Sequence, residues 1–524
     1  MEATVEVSGT ERVTVDKGPP WWKSVRYRIA MIGFLGGANI FIQRSNLSMA
    51  IVCMVNHTAI ELLKHPDGPI FDNSSYLNQT SYILQFVQSN ESVGEYQESC
   101  DTAMSDRSTT DSENGEFIWS KEKQGILLGA LFWGYVPLQI LGGYLVKRIG
   151  IRHATGPFFL AMSTLTLLSH PAALWSPWAL FVLRMLIGCT NAVCLPGIFF
   201  ILSTWAPPDE KSRMSSILFA GNTFGNVLAF PIAGLLCKYG FAGGWPSVFY
   251  VSGISSFILS ILWYLFVFDS PLKHPTIHAR EKEYLLRKMN MDALTRKKET
   301  VPWGQALRSL PVLAVFISHT CLNWGTYLIQ TSLPLYMRDV LKFEAASNGL
   351  FTMLPHICLV ILLLTSGIVF DKISTRYGIN ISRKSTAIFG LGLPAILFVA
   401  LSYLDCTNVA LAITILSLTF ALLSLNFVGL IVNFFDMAPT HGGQLMTFSN
   451  TIANTPGILA PYTVTQLTPD NTREEWQTVF FLTSGILAVG ALCFVLFSTV
   501  NVQKWAISPP PDEIVELNKG QEKT

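Results

Sequence analysis

The chain has 524 residues, of which 50% are hydrophobic and only 14% are charged, and its formal net charge at pH 7 is +1. A soluble protein carries about 25% charged residues, so this composition is typical of a polytopic membrane protein. It gives no basis for nucleic-acid binding, because the basic residues are spread over short polar stretches rather than gathered in a patch.

Windows of about 20 apolar residues, long enough to cross a bilayer as a helix, predict twelve membrane spans. The predicted spans are 29–54, 124–146, 155–174, 176–204, 214–237, 246–268, 311–336, 349–370, 385–404, 409–435, 444–467 and 477–500. A charged segment separates the first six spans from the last six, and such paired halves are the layout of secondary transporters. We therefore predict an all-α membrane protein that binds its substrate between two halves.

Basic residues predict the orientation of the chain. Of the 36 Lys and Arg residues, 26 lie on the side that holds both termini, 8 lie on the opposite side, and two lie inside spans. Because cytosolic loops carry the excess of Lys and Arg, both termini are predicted to be cytosolic. The predicted parts are a cytosolic tail (1–28), a six-helix half (29–268) with an extracytosolic loop (55–122), a cytosolic linker (269–310), a second six-helix half (311–500) and a cytosolic tail (501–524).

The loop at 55–122 carries Asn73, Asn78 and Asn90 in N-glycosylation acceptor patterns, which predicts a glycoprotein. Cys100 and Cys406 both fall in extracytosolic segments, where a disulfide between them is permitted; two free thiols are the alternative. The other seven cysteines lie in predicted spans and are interpreted as small apolar packing residues. No metal site is predicted, because the cysteines show no CxxC spacing.

Arg44 in the first span and Arg184 in the fourth are the two basic residues inside predicted spans. An ionised side chain within a bilayer is costly and tends to face a bundle interior, so each is a functional candidate. They lie roughly 15 and 12 Å from the extracytosolic ends of their spans, at about 1.5 Å per residue. Since a guanidinium offers a planar fork to carboxylate or phosphate, the pair predicts an anion site. The alternative is a packing arginine bonded to backbone carbonyls or to Asp436.

A glycine-rich and basic pattern recurs after the second and eighth spans. The two copies are Gly142-Gly-Tyr-Leu-Val-Lys147-Arg148-Ile-Gly150-Ile-Arg152 and Gly367-Ile-Val-Phe-Asp371-Lys372, the latter followed by Arg383-Lys384. The pattern resembles the loop signature of the major facilitator superfamily. The first copy has Lys147 where that signature usually carries aspartate, which leaves open any charge contact between helices there.

Further motifs point to one family. They are Arg44-Ser-Asn-Leu-Ser-Met-Ala, Phe132-Trp-Gly-Tyr135, Trp205-Ala-Pro-Pro-Asp-Glu-Lys-Ser-Arg213, Asn433-Phe-Phe-Asp436-Met-Ala-Pro439 and Leu467-Thr-Pro-Asp-Asn-Thr-Arg-Glu-Glu-Trp-Gln-Thr-Val-Phe480. From about residue 21 to 506 the chain resembles the anion transporters that include sialin, the vesicular glutamate transporters and the type I sodium-phosphate cotransporters. Its final stretch is most similar to sialin.

This resemblance implies substrate contacts for Arg44 and Arg184, and it aligns Tyr135 and Tyr327 with cavity tyrosines. It also places Asn191 where sialin-like members carry a glutamate tied to proton coupling, so coupling of that type is not predicted.

Other polar residues of the spans complete the predicted site. Asn323 shares a helix face with Tyr327, and Asn454 lies on the same face as Asn450. Asn323 and Asn454 are predicted to shape the substrate site. Asp436 is expected to make a helix-end or gate contact. His319 and His356 could couple transport to protons, although a buried, hydrogen-bonded histidine is the alternative for each.

We therefore predict a monomeric secondary active transporter for a small organic anion, an acidic sugar or acidic amino acid, coupled to protons or sodium. One alternative is a sodium-dependent phosphate or urate transporter, and another is a transport-inactive sensor on the same scaffold. No enzyme activity and no cofactor are predicted. The plasma membrane and endolysosomal or vesicular membranes both remain open, since Glu281-Lys-Glu-Tyr-Leu285-Leu286 fits either a dileucine sorting signal or an amphipathic helix.

Overall fold

The computed structural model describes residues 24–57, 59–60, 115–293 and 301–506. Its helices are α1 Val25–Met54, α2 Lys121–Ile149, α3 Ile151–Leu167, α4 Ser169–Trp175, α5 Pro177–Trp205, α6 Lys211–Tyr239, α7 Trp245–Phe266, α8 Ala279–Ala293, α9 Trp303–Ala306, α10 Leu310–Asp339, α11 Ala345–Tyr377, α12 Ile379–Ala387, α13 Leu393–Leu401, α14 Val409–Leu423, α15 Leu425–Val428, α16 Leu430–Met437, α17 Gly442–Ala453, α18 Pro456–Leu467 and α19 Arg473–Phe497. The prediction of an all-α membrane protein is confirmed.

The spans differ from the prediction in two places. Among the described residues, ten helical segments are long and apolar enough to cross a bilayer, and α3 with α4, bent by 42°, makes eleven if the pair counts as one span. The remaining predicted span, 444–467, is occupied by α17 and α18, which have 12 residues each. The α-helical hydrogen bonding is interrupted at Asn454 and Thr455, because Pro456 has no N–H group to donate. Every predicted span is therefore helical, but 155–174 is bent and 444–467 is broken. The spans at 385–404 and 409–435 each contain more than one helix and still form continuous segments, Ile379–Leu401 and Cys406–Met437.

Contacts at the two ends of the bundle define its two faces. At one end, which we call the loop face, Lys121 at the start of α2 pairs with Asp339 at the end of α10, 3.0 Å apart. At the other end, which we call the terminal face, Arg26 near the start of α1 pairs with Glu281 of α8, 3.1 Å apart. The two halves of the chain meet at the loop face and in the middle of the bundle.

Close packing within the first half depends on glycine. A Cβ atom at Gly142 of α2 would overlap the carbonyl oxygen of Ala192, and one at Gly188 of α5 would overlap that of Leu131. Small residues let helix backbones approach closely in membranes, where lipid offers no hydrophobic drive for association. The glycines therefore bring α2 directly against α5.

A carboxylate accepts a backbone hydrogen bond at the first of the two repeated loops. Gly150 (φ +99°) begins α3, and the matching Gly378 (φ +93°) begins α12. The Arg152 backbone N–H donates to Asp269 Oδ1 at 3.0 Å. A carboxylate that follows α7 thus contacts this loop, in which Lys147 replaces the expected aspartate.

Two cysteines that were interpreted as packing residues are paired instead. Cys53 of α1 and Cys237 of α6 form a disulfide at the loop face, with their Cα atoms 6.2 Å apart. Cys406 is also disulfide-bonded. Its predicted partner, Cys100, lies outside the described residues, so that pairing stays a prediction.

The linker helix α8 is held against the start of α1. Glu281 accepts hydrogen bonds from the backbone N–H groups of Val25 (2.9 Å) and Arg26 (3.1 Å), and Arg26 also pairs with Glu210 at 2.6 Å. Glu281 and Leu285 are fully buried. Because an adaptor could not reach these side chains, the structure favours the amphipathic helix over the sorting signal.

A buried charge cluster joins the two halves at the loop face. Asp339 pairs with Lys121 of the first half and with its neighbour Arg338, which in turn contacts His57. Burial, reinforced by Arg338, lowers the pKa of His57 to about 2, so its ring is neutral. Nearby, Lys238 and Glu344 form a second, more exposed ion pair between the halves at 2.7 Å.

The two ion pairs predict unequal stability effects. Asp339→Asn removes a fully buried carboxylate that pairs with both Lys121 and Arg338, and it should lower the free energy of unfolding by about 3–5 kcal/mol. The matched control, Glu344→Gln, removes an exposed pair and should cost about 1 kcal/mol or less. Thermal unfolding of the purified protein compares the two variants. If both variants lost the same free energy of unfolding, the buried cluster would have no specific role in stability.

Candidate functional site

Arg44 lies at the boundary between the two halves. Its guanidinium carbon is 4.3 Å from the ring centre of Tyr135 and 4.9 Å from that of Phe41. The ring of Phe132 is 5.9 Å away. Since a cation is attracted to the face of an aromatic ring, these three rings partly offset the loss of water around the charge.

The second half contributes Tyr327 of α10. Its hydroxyl interacts with the Arg44 guanidinium, and its ring lies 4.6 Å from that of Phe132. The same hydroxyl donates a short hydrogen bond to Asn454 Oδ1. Asn454 Nδ2 is 3.5 Å from Gln139 Oε1 on α2. Groups from both halves therefore surround one guanidinium.

Arg44 has unused hydrogen-bonding capacity. The residue is only 8% exposed, and its Nε and Nη2 atoms are buried without a hydrogen-bond partner. Among the described residues, no carboxylate pairs with it. A buried guanidinium without a counter-charge costs several kcal/mol, and the free edge of its planar fork suits a carboxylate.

The break between α17 and α18 places Asn454 at this site. Pro456 cannot donate to the helix, and the Gly457 N–H bonds to the Asn454 carbonyl at 3.0 Å. This leaves the Ala453 carbonyl free to accept a hydrogen bond from Asn323 Nδ2 at 2.7 Å. Predicted as a substrate-shaping residue, Asn323 thus braces the break beside the site.

Arg184 is buried elsewhere in the first half. Its Nη1 donates to Asn46 Oδ1 at 2.8 Å and to the Gln43 carbonyl at 3.2 Å, and its guanidinium lies 5.0 Å from the ring centre of Phe249. Successive helix residues are rotated by about 100°, so the side chain of Asn46 projects from α1 almost opposite that of Arg44. The described contacts do not bring the two guanidinium groups together. Arg184 Nε and Nη2 are also without a partner.

Neither histidine is among the described contacts of Arg44: His319 lies within the second half, whereas the ring of His356 packs against Phe230 of the first half, with ring centres 5.0 Å apart. His319 Nδ1 is 2.9 Å from Ser449 Oγ, and His356 Nδ1 is 3.1 Å from the Thr352 carbonyl. Both rings are almost fully buried. Each histidine is therefore buried and hydrogen-bonded, as in the alternative to a proton-coupling role.

The described contacts of the other two coupling or gating candidates do not include Arg44. Arg383 Nε donates to Asp436 Oδ2 at 2.8 Å, which is a helix-end contact within one half at the terminal face. Asn191 is fully buried, and neither its Oδ1 nor its Nδ2 has a hydrogen-bond partner. Asn73, Asn78 and Asn90, the predicted glycosylation sites, lie outside the described residues.

Three residues of the site were not among the predicted site residues: Phe41, Phe132 and Gln139. Phe132 is part of the Phe132-Trp-Gly-Tyr135 motif, and Gln139 follows Tyr135 by four residues, which places it on the same face of α2. A search for polar residues at helical spacing from Tyr135 would have found Gln139.

The chain matches the family model of the Major Facilitator Superfamily over residues 33–461. The chain belongs to the major facilitator superfamily. It is 34% identical to sialin of Ovis aries over 490 residues, which cover 93% of this chain and 91% of that protein. It is also 30% identical to vesicular glutamate transporter 2 of Bos taurus over 500 residues, covering 94% and 77% of the two chains. A Drosophila melanogaster protein named as a candidate inorganic phosphate cotransporter is 33% identical over 507 residues, covering 95% and 89%.

Solved structures support the same fold. A bacterial homologue of the human lysosomal transporter Spinster, inward-facing and occupied, aligns with a TM-score of 0.63 at 12% identity, covering 94% of this chain and 100% of that chain. A D-xylose-proton symporter aligns with a TM-score of 0.61 at 14% identity, covering 92% and 100%. With the family relatives, these findings identify the chain as a secondary active anion transporter and a multi-pass membrane protein.

The hydrogen bond from Asn323 to the Ala453 carbonyl at the helix break predicts an effect on stability. Asn323→Leu leaves the buried Ala453 carbonyl without a donor and should cost about 1–3 kcal/mol. Thr326→Val on the same helix is the control, because the Thr326 hydroxyl bonds only to the Leu322 carbonyl of its own helix at 3.0 Å. Chemical or thermal unfolding in detergent measures both. If Thr326→Val lowered the free energy of unfolding as much as Asn323→Leu, the hydrogen bond from Asn323 to Ala453 would have no specific role in stability.

Proposed function

We propose that this transporter carries a small organic anion of the acidic sugar or acidic amino acid type, and that Arg44 binds its carboxylate. The observation that carries the proposal is the buried Arg44 guanidinium, whose Nε and Nη2 atoms have no partner at the boundary between the halves. A carboxylate can accept two parallel hydrogen bonds from such an edge. The hydroxyls of Tyr135 and Tyr327 and the Asn454 amide would orient the rest of the molecule.

The surroundings of Arg44 favour an organic anion over phosphate. Phe41, Phe132 and Tyr135 present ring surfaces, which suit the carbon skeleton of a sugar or amino acid. Phosphate is small and strongly hydrated, and it would need several more donors to replace its water. Similarity to the Drosophila protein named above keeps phosphate as the second candidate.

Transport by alternating access fits the contacts between the halves. Among the described residues, the polar contact between the halves that lies nearest to the terminal face is the one between Gln139 and Asn454. Beyond it, toward that face, no hydrogen bond or ion pair between described residues joins the halves. By contrast, Lys121 with Asp339 and Lys238 with Glu344 close the loop face. The proposed cycle breaks these pairs and closes the opposite end, which exposes Arg44 to each side in turn.

The proposal places both termini in the cytosol, which makes the loop face extracytosolic. This orientation rests on the excess of basic residues on the terminal side. The disulfide between Cys53 and Cys237 at the loop face supports it, because disulfides persist in oxidising compartments. The membrane is the plasma membrane or an endolysosomal or vesicular membrane, and a proton gradient, a sodium gradient or the membrane potential drives transport.

Uptake into proteoliposomes tests the substrate and the driving ion together. The assay uses labelled N-acetylneuraminate, D-glucuronate, L-glutamate, L-aspartate, urate and phosphate, each with separate pH, sodium and voltage gradients. We expect saturable uptake of at least one acidic sugar or amino acid. Uptake of phosphate or urate alone would support the second candidate, and no flux under any gradient would support a sensor.

Arginine variants test the binding residue. Arg44→Ala removes charge-assisted hydrogen bonds, each worth about 1.5–3 kcal/mol, and should raise KM about 10- to 100-fold or abolish uptake. Arg44→Lys keeps the charge but loses the fork, so its KM should be intermediate. Arg148→Ala, an exposed arginine on α2, is the control. Normal uptake by Arg44→Ala would exclude Arg44 as the carboxylate ligand.

A further inference from the structure

A continuous seam of buried polar side chains runs through the first half, on a face of α1 that is turned away from the anion site. On α1 it consists of Asn39, Gln43 and Asn46, spaced by four and three residues. Its other members are Thr166 of α3, Arg184 of α5 and Ser252, Ser255 and Ser256 of α7. We call this set the polar seam.

Gln43 is the centre of the polar seam. Its Nε2 donates to the Ser252 carbonyl at 3.0 Å and to Ser256 Oγ at 2.9 Å. Its Oε1 accepts from Asn46 Nδ2 and from Thr166 Oγ1, both at 3.1 Å. Gln43 is fully buried, and all its side-chain hydrogen-bonding groups have partners. Its backbone carbonyl also accepts from Arg184 Nη1 at 3.2 Å.

The ends of the polar seam are fixed as well. Asn39 exchanges hydrogen bonds with two serines of α7, donating to Ser255 Oγ at 2.9 Å and accepting from Ser256 Oγ at 2.7 Å. Asn46 donates to Ser252 Oγ at 3.2 Å and accepts from Arg184 Nη1 at 2.8 Å. Three consecutive turns of α1 are therefore bonded to one face of α7.

This arrangement sets the rotation of α1 about its own axis. Lipid and apolar side chains resist the rotation of a membrane helix only weakly, whereas buried directional hydrogen bonds fix it. Arg44 follows Gln43 directly, so its side chain projects about 100° further around the helix, toward α2 and α10. A small rotation of α1 would move the guanidinium away from Tyr135 and Tyr327.

We propose that Gln43 is a positioning residue for the anion site: through the polar seam it fixes the rotation of α1 and holds the Arg44 guanidinium toward the substrate. The inference rests on the proposed function, in which Arg44 binds the anion. Gln43 does not touch the anion itself, because it lies on the face of α1 that packs against α7.

Gln43→Leu tests the proposal, since leucine has a similar volume and makes none of the four side-chain hydrogen bonds. KM is measured in proteoliposomes with labelled N-acetylneuraminate, D-glucuronate, L-glutamate and L-aspartate, for whichever of these the unsubstituted protein carries. We expect KM to rise about tenfold while the maximal rate, per folded transporter, changes less than twofold. The control is Gln124→Leu, because Gln124 is also fully buried but bonds to the Trp119 carbonyl at the loop face. Its KM should change less than twofold.

A double-mutant cycle separates positioning from a general loss of stability. If Gln43 acts through the guanidinium fork, Gln43→Leu should change KM less than twofold in the Arg44→Lys background. Equal fold-changes in both backgrounds would overturn the proposal, and so would an unchanged KM for Gln43→Leu alone. Should Gln43→Leu fail to fold, Ser256→Ala and Thr166→Val each remove one partner and should raise KM about two- to threefold; no change in either would also overturn it.

The two proposals fail in different ways. If Arg44→Ala transports normally, or if the unsubstituted protein carries no acidic sugar or acidic amino acid of the uptake panel, the proposed function fails and this inference with it. If Arg44 is required but Gln43→Leu has the KM of the unsubstituted protein, only the positioning role fails.

Discussion

A guanidinium buried without a carboxylate partner, at the boundary between two membrane-embedded halves, is the constraint on which the rest of this structure depends. Burying such a charge costs several kcal/mol even after relaxation, and the rings of Phe41 and Tyr135 offset only part of that cost. Its Nε and Nη2 atoms remain without partners. The arrangement is stable enough to fold, and under the proposed function a bound anion would lower its free energy further.

This electrostatic cost also bears on alternating access. When both ends of the site are closed, an empty Arg44 must stay charged in a medium of low dielectric constant. An anion bound to Arg44 reduces the net charge that is enclosed, so closure should be less costly for the loaded site than for the empty one. The cluster of Lys121, Arg338 and Asp339 holds the loop face shut in the present conformation. Substrate binding and closure are thereby linked through one charge.

The sequence predicted the features that depend on pattern. Apolar length gave the helical spans, and buried charge singled out Arg44 and Arg184. Helical spacing and family resemblance selected Tyr135, Tyr327 and Asn454, which the structure brings together. The sequence could not predict the direction in which Arg184 points, because that depends on hydrogen bonds to Asn46 and the Gln43 carbonyl. Likewise, Cys53 and Cys237 are far apart in the chain and gave no local signal of pairing.

The two walls of the site differ in how firmly they are held. On one side, α1 is fixed by the polar seam, and glycine contacts bring α2 close to α5. On the other side, Asn454 lies at the break between α17 and α18, where Asn323 replaces a lost helical hydrogen bond. A helix with such a break can bend at lower cost than a continuous one. The Arg44 charge therefore lies on α1, the more firmly held wall, and the Asn454 contact lies at the break between α17 and α18, which can bend. A change in substrate shape need not displace Arg44.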